Sequence, residues 1–294
     1  MKQSYGIGSW VILLLWTPGI QVLSADESWV RIIPDVVYGH KDGLAMTYDV
    51  IQPGENRTRA AVLFMVSGGW VSRWLPPEQV VRQKPPRQKN LFEKIVSSGY
   101  TLILVRHGSS PRYKVPEAVR DVRQAIQHVH FTSEKLGIDP ERIGVCGGSA
   151  GGHLSLMLGT TGKKGIQPAS IVRSASSRVR AVVAYFPPTF LKGYVGDPGF
   201  VKQFPALDFE LKEVEKNSPL SQVSSDDAPT LLIHGDRDEL VPLVHSQKIA
   251  KAFEKAGVEH RLMVIKGAAH GFTGEDGQRA ESALIEWFDR YLKK

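Results

Sequence analysis

The sequence predicts an α/β fold with a mostly parallel, eight-stranded sheet flanked by helices, and two observations support this prediction. Short apolar runs alternate along the chain with longer segments of helical periodicity, which is typical of a parallel sheet with helices on its faces. Several of these runs, among them residues 61–66 and 102–105, are apolar at every position, as expected for strands buried on both faces. With 294 residues, 42% of them hydrophobic, the chain can form one domain with a large core, or at most two small ones.

The predicted elements follow in order. Strands are expected at residues 30–37, 44–51, 61–66, 101–105, 142–146, 181–185, 230–233 and 261–265. Helices are expected at residues 116–136, 243–256 and 279–292, and another helical run follows Gly152. The first of these helices carries apolar residues at three- and four-residue spacing, with Pro116 suited to the first turn and Gly137 to the end.

Two segments interrupt this alternation. Residues 71–90 form a polar, proline-bearing stretch that predicts a loop. Residues 187–227 separate two predicted core strands and contain five prolines, and connections of that length inside a domain are often functional. We therefore expect a short cap insert over the functional face, the alternative being a surface excursion without a role.

The first residues indicate a secretory signal peptide. Lys2 precedes an apolar stretch at residues 7–16, which is shorter than the ~20 residues of a membrane span. Small residues at positions 24 and 25 suit cleavage. We expect residues 1–24 to be removed, residues 25–294 to form the folded domain, and the protein to be secreted or periplasmic without stable membrane insertion. An uncleaved anchor and a buried N-terminal strand are the alternatives.

Composition excludes several classes of protein. Cys146 is the only cysteine, so an intrachain disulfide is impossible, and its place in a predicted strand favours a packing role. The net charge of +7 is spread along the chain, which argues against a nucleic-acid partner. Histidines and carboxylates do not recur at metal-ligand spacing, so neither a metal nor another cofactor is expected. The sequence leaves the oligomeric state open.

The strongest functional signal is the segment at residues 143–152, IGVCGGSAGG, in which Ser149 lies between Gly147 and Gly151. The pattern G-x-S-x-G between a strand and a helix is typical of a nucleophile elbow. Its turn is so tight that side chains two residues before and after the serine would collide. The serine hydroxyl is then exposed at a helix N-terminus, where backbone N–H groups stabilise negative charge.

A serine nucleophile needs a base, and the base needs an orienting acid. His270 follows the last predicted strand, and three carboxylates, Asp236, Asp238 and Glu239, follow the seventh. Both places lie at strand C-termini, where open α/β sheets bind ligands. Spacing alone does not choose among the three carboxylates.

An oxyanion hole requires backbone donors near the serine. We expect the N–H of Ala150 to be one of them, and the turn Gly68-Gly69-Trp70 to supply the others, because glycines let backbone N–H groups approach a substrate closely.

From about residue 44 to the C-terminus, the chain resembles the α/β-hydrolase superfamily, and within it the esterase/lipase branch of acetyl xylan esterases and small feruloyl-esterase-like hydrolases. The resemblance rests on residues 137–154, 218–242 and 267–272. It implies Asp238 as the triad acid and His270 as the base. The family usually has H-G-G-G-W at the oxyanion turn, whereas this chain has Val66-Ser67-Gly68-Gly69-Trp70, so support for that turn must come from elsewhere.

The resemblance implies an exported serine esterase that cleaves carboxylic esters, preferably acetyl or other short-acyl esters of a small-molecule or carbohydrate alcohol. Trp70 would shorten the acyl pocket or stack on a sugar ring, unless it is simply buried. Two alternatives stay open: a serine peptidase of the prolyl-oligopeptidase type, and a non-catalytic binding protein on a hydrolase fold.

Overall fold

A computed structural model describes residues 29–55, 57–81, 89–165 and 171–293. The predicted signal peptide lies outside the described residues. All eight predicted strands are present, and they form one sheet in the order β1-β2-β4-β3-β5-β6-β7-β8. Their bounds are β1 Val30–Lys41, β2 Leu44–Pro53, β3 Ala61–Met65, β4 Thr101–Val105, β5 Ile143–Gly148, β6 Ala181–Tyr185, β7 Thr230–Gly235 and β8 His260–Ile265.

Only the β1–β2 and β2–β4 pairs of this sheet are antiparallel; the remaining five pairs are parallel. Strands β3, β4, β6 and β7 are buried almost throughout, because helices cover both faces of the sheet. The uninterrupted apolar sequences of these strands predict this burial. The prediction of a mostly parallel α/β fold is confirmed.

The described residues form seven α-helices: α1 Pro77–Val80, α2 Leu91–Ser97, α3 Val115–Phe131, α4 Ala150–Thr161, α5 Pro198–Gln203, α6 Val244–Ala256 and α7 Gly274–Leu292. Helix α1 interrupts the segment that was predicted to be a loop throughout. Helix α3 ends at Phe131, before the predicted residue 136, and the chain continues in turns.

Helix α2 was not predicted from the sequence. This helix begins with a capping box, in which Asn90 accepts a hydrogen bond from Glu93 N and the Glu93 carboxylate accepts one from Asn90 N, both at 2.9 Å. Such a box satisfies two backbone donors that a helix otherwise leaves unpaired. The local signal was therefore present, but the helix is only seven residues long, too short for a clear apolar period.

Two apolar layers form the core, one on each face of the sheet. Helices α3, α4 and α6 pack on one face, and α2 and α7 pack on the other. Cys146 lies fully buried in the second layer, and burial raises the pKa of its thiol above the ordinary range. This is the environment of a packing residue rather than a reactive thiol.

Residues 187–227 fold into α5 and four 3₁₀ turns. Apolar side chains of this segment, including Leu191, Leu207 and Val214, join the layer that contains α3 and α4. The Lys114 ammonium group also donates to Pro205 O at 2.9 Å. The segment therefore packs firmly on the domain, on the side from which α4 begins. No helix in the described part of the chain is long and apolar enough to cross a membrane.

Candidate active site

Ser149 occupies a sharp turn between β5 and α4. Its backbone has φ 53° and ψ −120°, a strained conformation for a residue with a side chain. A Cβ atom on Gly147 would lie 2.6 Å from the carbonyl carbon of Gly151, and one on Gly151 would lie 2.6 Å from Met65 O. Both positions therefore require glycine. The Ser149 N–H donates to Tyr185 O at 2.9 Å, which ties the turn to the neighbouring strand.

Asp238 lies in the loop after β7, and its side chain is fully buried. Its Oδ1 accepts hydrogen bonds from Leu240 N at 3.0 Å and Val241 N at 2.9 Å. Its Oδ2 accepts one from His270 Nδ1 at 2.7 Å. His270 can therefore carry its proton on Nδ1 and keep a lone pair on Nε2, which is the tautomer that a general base needs.

The three carboxylates that spacing left undecided differ clearly in their surroundings. Asp236 is exposed, and its Oδ1 accepts a hydrogen bond from Gly267 N at 2.6 Å. Glu239 is also exposed. Within the described residues, Asp238 is the carboxylate of these three that contacts His270.

His270 lies on one side of the serine turn. Its ring centroid is 4.5 Å from that of Phe186, and the edge of the Phe186 ring is 3.1 Å from the place where a Cβ atom of Gly148 would lie. Phe186 thus separates the histidine loop from the residue before Ser149. Among the described residues, Ser149 Oγ and His270 Nε2 form no hydrogen bond.

The predicted oxyanion turn is a tight hairpin. Gly68 and Val71 exchange two backbone hydrogen bonds of 3.0–3.1 Å, and the central residues Gly69 and Trp70 have φ values of 56° and 57°. The N–H of Gly68 is thus used inside the turn, which corrects the prediction that it is an oxyanion donor. Gly69 and Trp70 lie beside Ser149 along one cavity, and Ala150 is the first residue of α4.

A histidine that follows β4 supports this turn, which lacks the histidine of the usual H-G-G-G-W pattern. His107, just after β4, donates from Nδ1 to Gly108 O at 2.9 Å, so Nε2 is free to accept the Ser67 hydroxyl at 2.8 Å. Burial lowers the pKa of His107, which keeps the ring neutral and this pairing intact. The sequence analysis missed the pairing, because 40 residues separate the two partners.

Trp70 and His153 form a second support. The Trp70 indole N–H donates to His153 Nδ1 at 3.3 Å, and His153 Nε2 donates to Asn217 O at 2.8 Å. Burial lowers the pKa of His153 to about 4. This chain of bonds joins the oxyanion turn, helix α4 and the cap. Trp70 itself is only 5% exposed, so it packs under the cap and does not offer an open face to a sugar ring.

A narrow cavity of about 50 Å³ extends from Ser149 beneath the cap. Most of its lining is apolar: Pro188, Leu191, Phe200, Phe204, Leu207, Leu240 and Val241. No Asp, Glu, Lys or Arg lines it, so it suits an uncharged group. Across the described ranges, no group of three or more His, Cys, Asp or Glu side chains is placed to hold a metal ion.

With this geometry described, comparison with known proteins gives three findings. The family model BD-FAE matches residues 48–253. Esterase LipQ of Mycobacterium tuberculosis is 26% identical over 284 residues, covering 83% of this chain and 61% of that protein. The uncharacterized peptidase YuxL of Bacillus subtilis is 25% identical over 299 residues, covering 92% of this chain and 42% of that protein. The chain thus spans about three fifths or less of these two relatives.

Among solved structures, the acetyl ester-xyloside bifunctional hydrolase of Caldicellulosiruptor lactoaceticus superposes with a TM-score of 0.70 at 23% identity. The alignment covers 87% of this chain and 95% of that one. A likeness at this identity shows that the two chains share the α/β-hydrolase fold.

Proposed function

The chain belongs to the BD-FAE family, and we propose that it is a serine hydrolase of carboxylic esters. Two observations carry this proposal: the buried Asp238 carboxylate lies 2.7 Å from His270 Nδ1, and Ser149 is held in a strained turn between a strand and a helix. Backbone strain and a buried carboxylate that orients a histidine both cost folding free energy, and they are typical of sites that use them. The name of LipQ, an esterase, supports the same chemistry.

In the proposed mechanism, Ser149 Oγ attacks the ester carbonyl while His270 Nε2 takes the hydroxyl proton. Asp238 holds the imidazole in the required tautomer and stabilises the imidazolium ion. The N–H groups of Gly69, Trp70 and Ala150 are proposed to donate to the oxyanion. The carbon–oxygen bond then breaks, and His270 returns the proton to the leaving alcohol. Water, activated by the same histidine, hydrolyses the acyl-enzyme.

The two halves of the substrate are proposed to lie on opposite sides of Ser149. The leaving alcohol must face His270, because it receives that proton. His270 is not part of the cavity wall, whereas Gly69 and Trp70 of the oxyanion turn are, so the cavity is the place for the acyl group. An open, aromatic-lined depression lies near His270, formed in part by Phe186 and Phe272, and it leaves room for a bulky alcohol.

We propose that the acyl group is short. The sequence-based preference for acetyl esters on a small-molecule or carbohydrate alcohol stays a prediction, and the name of the acetyl ester-xyloside hydrolase supports it. The apolar cavity is narrow and lies under a firmly packed cap, which favours a short acyl group. Values of kcat/KM for acetate, butanoate, octanoate and palmitate esters of one alcohol will test this: a rise toward the longest chain would reject it.

Replacement of the nucleophile tests the reaction itself. Ser149→Ala should abolish hydrolysis of para-nitrophenyl acetate and labelling by a fluorophosphonate, which requires an activated serine. Ser155→Ala is the matched control, because the Ser155 hydroxyl is buried in helix α4, which follows Ser149, and donates to Gly151 O at 2.8 Å. Ester turnover by folded Ser149→Ala within tenfold of the wild type would reject the assignment.

The name of YuxL favours a second candidate, a serine peptidase. A peptide para-nitroanilide panel, run beside the ester panel, separates the two. Turnover of an amide faster than of its matching ester would establish the peptidase, whereas fluorophosphonate labelling without turnover of either would point to an untested substrate class.

We also propose that the protein is exported and loses residues 1–24. The support is the sequence pattern of a charged N-terminus, a short apolar run and small residues. N-terminal sequencing of material from the extracytoplasmic fraction should begin near Ala25. Recovery of the intact N-terminus in membranes would contradict this proposal.

A further inference from the structure

We infer that the Tyr194 hydroxyl donates a hydrogen bond to an acceptor atom on the acyl group of the substrate and so selects among acyl groups. This inference rests on the proposed function, because it concerns the acyl side of the same site. Tyr194 and His245 form a polar pair in the wall of the otherwise apolar cavity beside Ser149.

The hydrogen bonds of His245 fix its tautomer. Thr189 N donates to His245 Nδ1 at 3.1 Å, so Nδ1 carries a lone pair and no proton. The imidazole is 1% exposed, and burial lowers its pKa to about 4. A neutral ring without a proton on Nδ1 must carry its proton on Nε2.

This tautomer determines what Tyr194 can do. The Tyr194 oxygen lies 2.9 Å from His245 Nε2, and because Nε2 bears the proton, the tyrosine oxygen is the acceptor of this bond. The phenolic hydrogen therefore points elsewhere. Of the described residues, none accepts it, and the side chain is only partly buried beside the cavity. The hydroxyl is available as a donor to a bound molecule.

The surrounding rings hold this donor in one place. Phe190 stacks on His245 with ring centroids 3.9 Å apart, and Lys248 Nζ lies 4.4 Å from the centroid of the Phe190 ring. Phe200 meets the Tyr194 ring edge-on at 4.7 Å. A donor held before the substrate arrives loses little entropy on binding, so it discriminates well between groups that can and cannot accept its hydrogen bond.

The chemical class follows from the cavity. Its walls accept an apolar, uncharged acyl group, and the Tyr194 hydroxyl, as a donor, favours one that carries an ether, carbonyl or hydroxyl oxygen. An alkyl group of the same size would leave the donor without a partner when it displaces water, which costs binding free energy. Among acyl groups longer than acetyl, the cavity is therefore better matched to one that bears an oxygen than to a plain alkanoyl chain of the same size.

The test compares para-nitrophenyl esters in isosteric pairs: methoxyacetate with butanoate, methoxypropanoate with pentanoate, and methoxybutanoate with hexanoate. The readout is the ratio of kcat/KM for the methoxy ester to that for its alkyl partner. Comparing the ratio between variants removes the intrinsic reactivity of each ester. Tyr194→Phe keeps the ring and removes the donor, and Tyr100→Phe removes a hydroxyl that bonds to Asp289, outside the cavity lining.

We expect Tyr194→Phe to lower the ratio about tenfold at one chain length, the magnitude of a single hydrogen bond, with alkyl esters changed less than threefold. Tyr100→Phe should keep the wild-type ratio. An equal ratio in the wild type and Tyr194→Phe at every length overturns the inference.

A binding measurement separates this outcome from a failure of the proposed function. The same ester pairs are titrated calorimetrically into Ser149→Ala and into Ser149→Ala/Tyr194→Phe, so no turnover is needed. If a methoxy ester binds more tightly than its alkyl partner to Ser149→Ala but not to Ser149→Ala/Tyr194→Phe, the inference is supported even if no ester is hydrolysed. Equal binding by both variants overturns it even if the wild type is an active esterase.

Discussion

Replacing Asp238 by asparagine should disable the site without unfolding the protein. The asparagine oxygen can still accept the hydrogen bonds from Leu240 N and Val241 N that Oδ1 accepts in the wild type. The amide nitrogen then faces His270 Nδ1, the 2.7 Å partner of Oδ2. Because an amide N–H cannot accept a proton, His270 must turn its lone pair toward the amide and carry its proton on Nε2.

The magnitude follows from that change of tautomer. A proton on Nε2 prevents His270 from accepting the Ser149 proton, and the imidazolium ion loses its buried counter-charge. Substitutions of this kind in serine hydrolases cost about 10⁴ in kcat, equivalent to about 5 kcal/mol of transition-state stabilisation. We expect KM to change little, because the side chain of Asp238 is fully buried and does not line the cavity.

The assay is steady-state hydrolysis of para-nitrophenyl acetate, with thermal unfolding as the check on folding. Asp236→Asn is the matched control: this carboxylate is two residues away and exposed, and its bond from Gly267 N needs only an acceptor oxygen, which asparagine retains. Its kcat should stay within threefold of the wild type. A small loss of kcat in Asp238→Asn together with a large loss of kcat in Asp236→Asn would refute the reasoning.

Two further predictions concern stability. Burial lowers the pKa values of His153 and His245 to about 4, below the ~6.5 of a histidine in an unfolded chain. Between these values the unfolded state binds more protons, so the free energy of unfolding should fall by roughly 3 kcal/mol per histidine as the pH drops from about 6.5 to 4. Urea titrations at several pH values should show this fall, and a His153→Gln variant with the same dependence of unfolding free energy on pH as the wild type would contradict it. Gly151→Ala should lower stability by about 1–3 kcal/mol through its clash with Met65 O, whereas Gly68→Ala, which has open space, should leave Tm unchanged.

The sequence predicted those parts of the molecule that depend on neighbouring residues. Strands β3, β4, β6 and β7 were found because strands buried on both faces of a parallel sheet are apolar at nearly every position. The elbow was found because its sterics involve only residues 147 to 151 and the strand beside them. The missed helix α2 shows the limit of this approach: at seven residues, it offers little more than one apolar turn against the core.

Contacts between distant segments could not be predicted in the same way. The bond from Trp70 to His153 joins residues 83 positions apart, and the bond from His245 to Tyr194 joins residues 51 apart. Nothing in either local sequence marks the partner, because each pairing arises only when separate segments of the chain pack together in the folded domain. Asp238 is an intermediate case: spacing left three carboxylates open, and the choice depends on which one the loop after β7 buries.

The surroundings of the histidines near the site leave one of them, His270, placed for the proposed proton transfer. Four other histidines surround the site, and each is buried, has its pKa lowered by burial and is held by hydrogen bonds through both ring nitrogens: His107, His153, His234 and His245. These neutral rings link the oxyanion turn, the loop after β7 that carries Asp238, and the cap. His270 differs, because its side chain is 21% exposed and one nitrogen is anchored to Asp238. Its Nε2 is therefore the ring nitrogen that the proposed mechanism can use, whereas the four buried rings hold the surrounding loops in place.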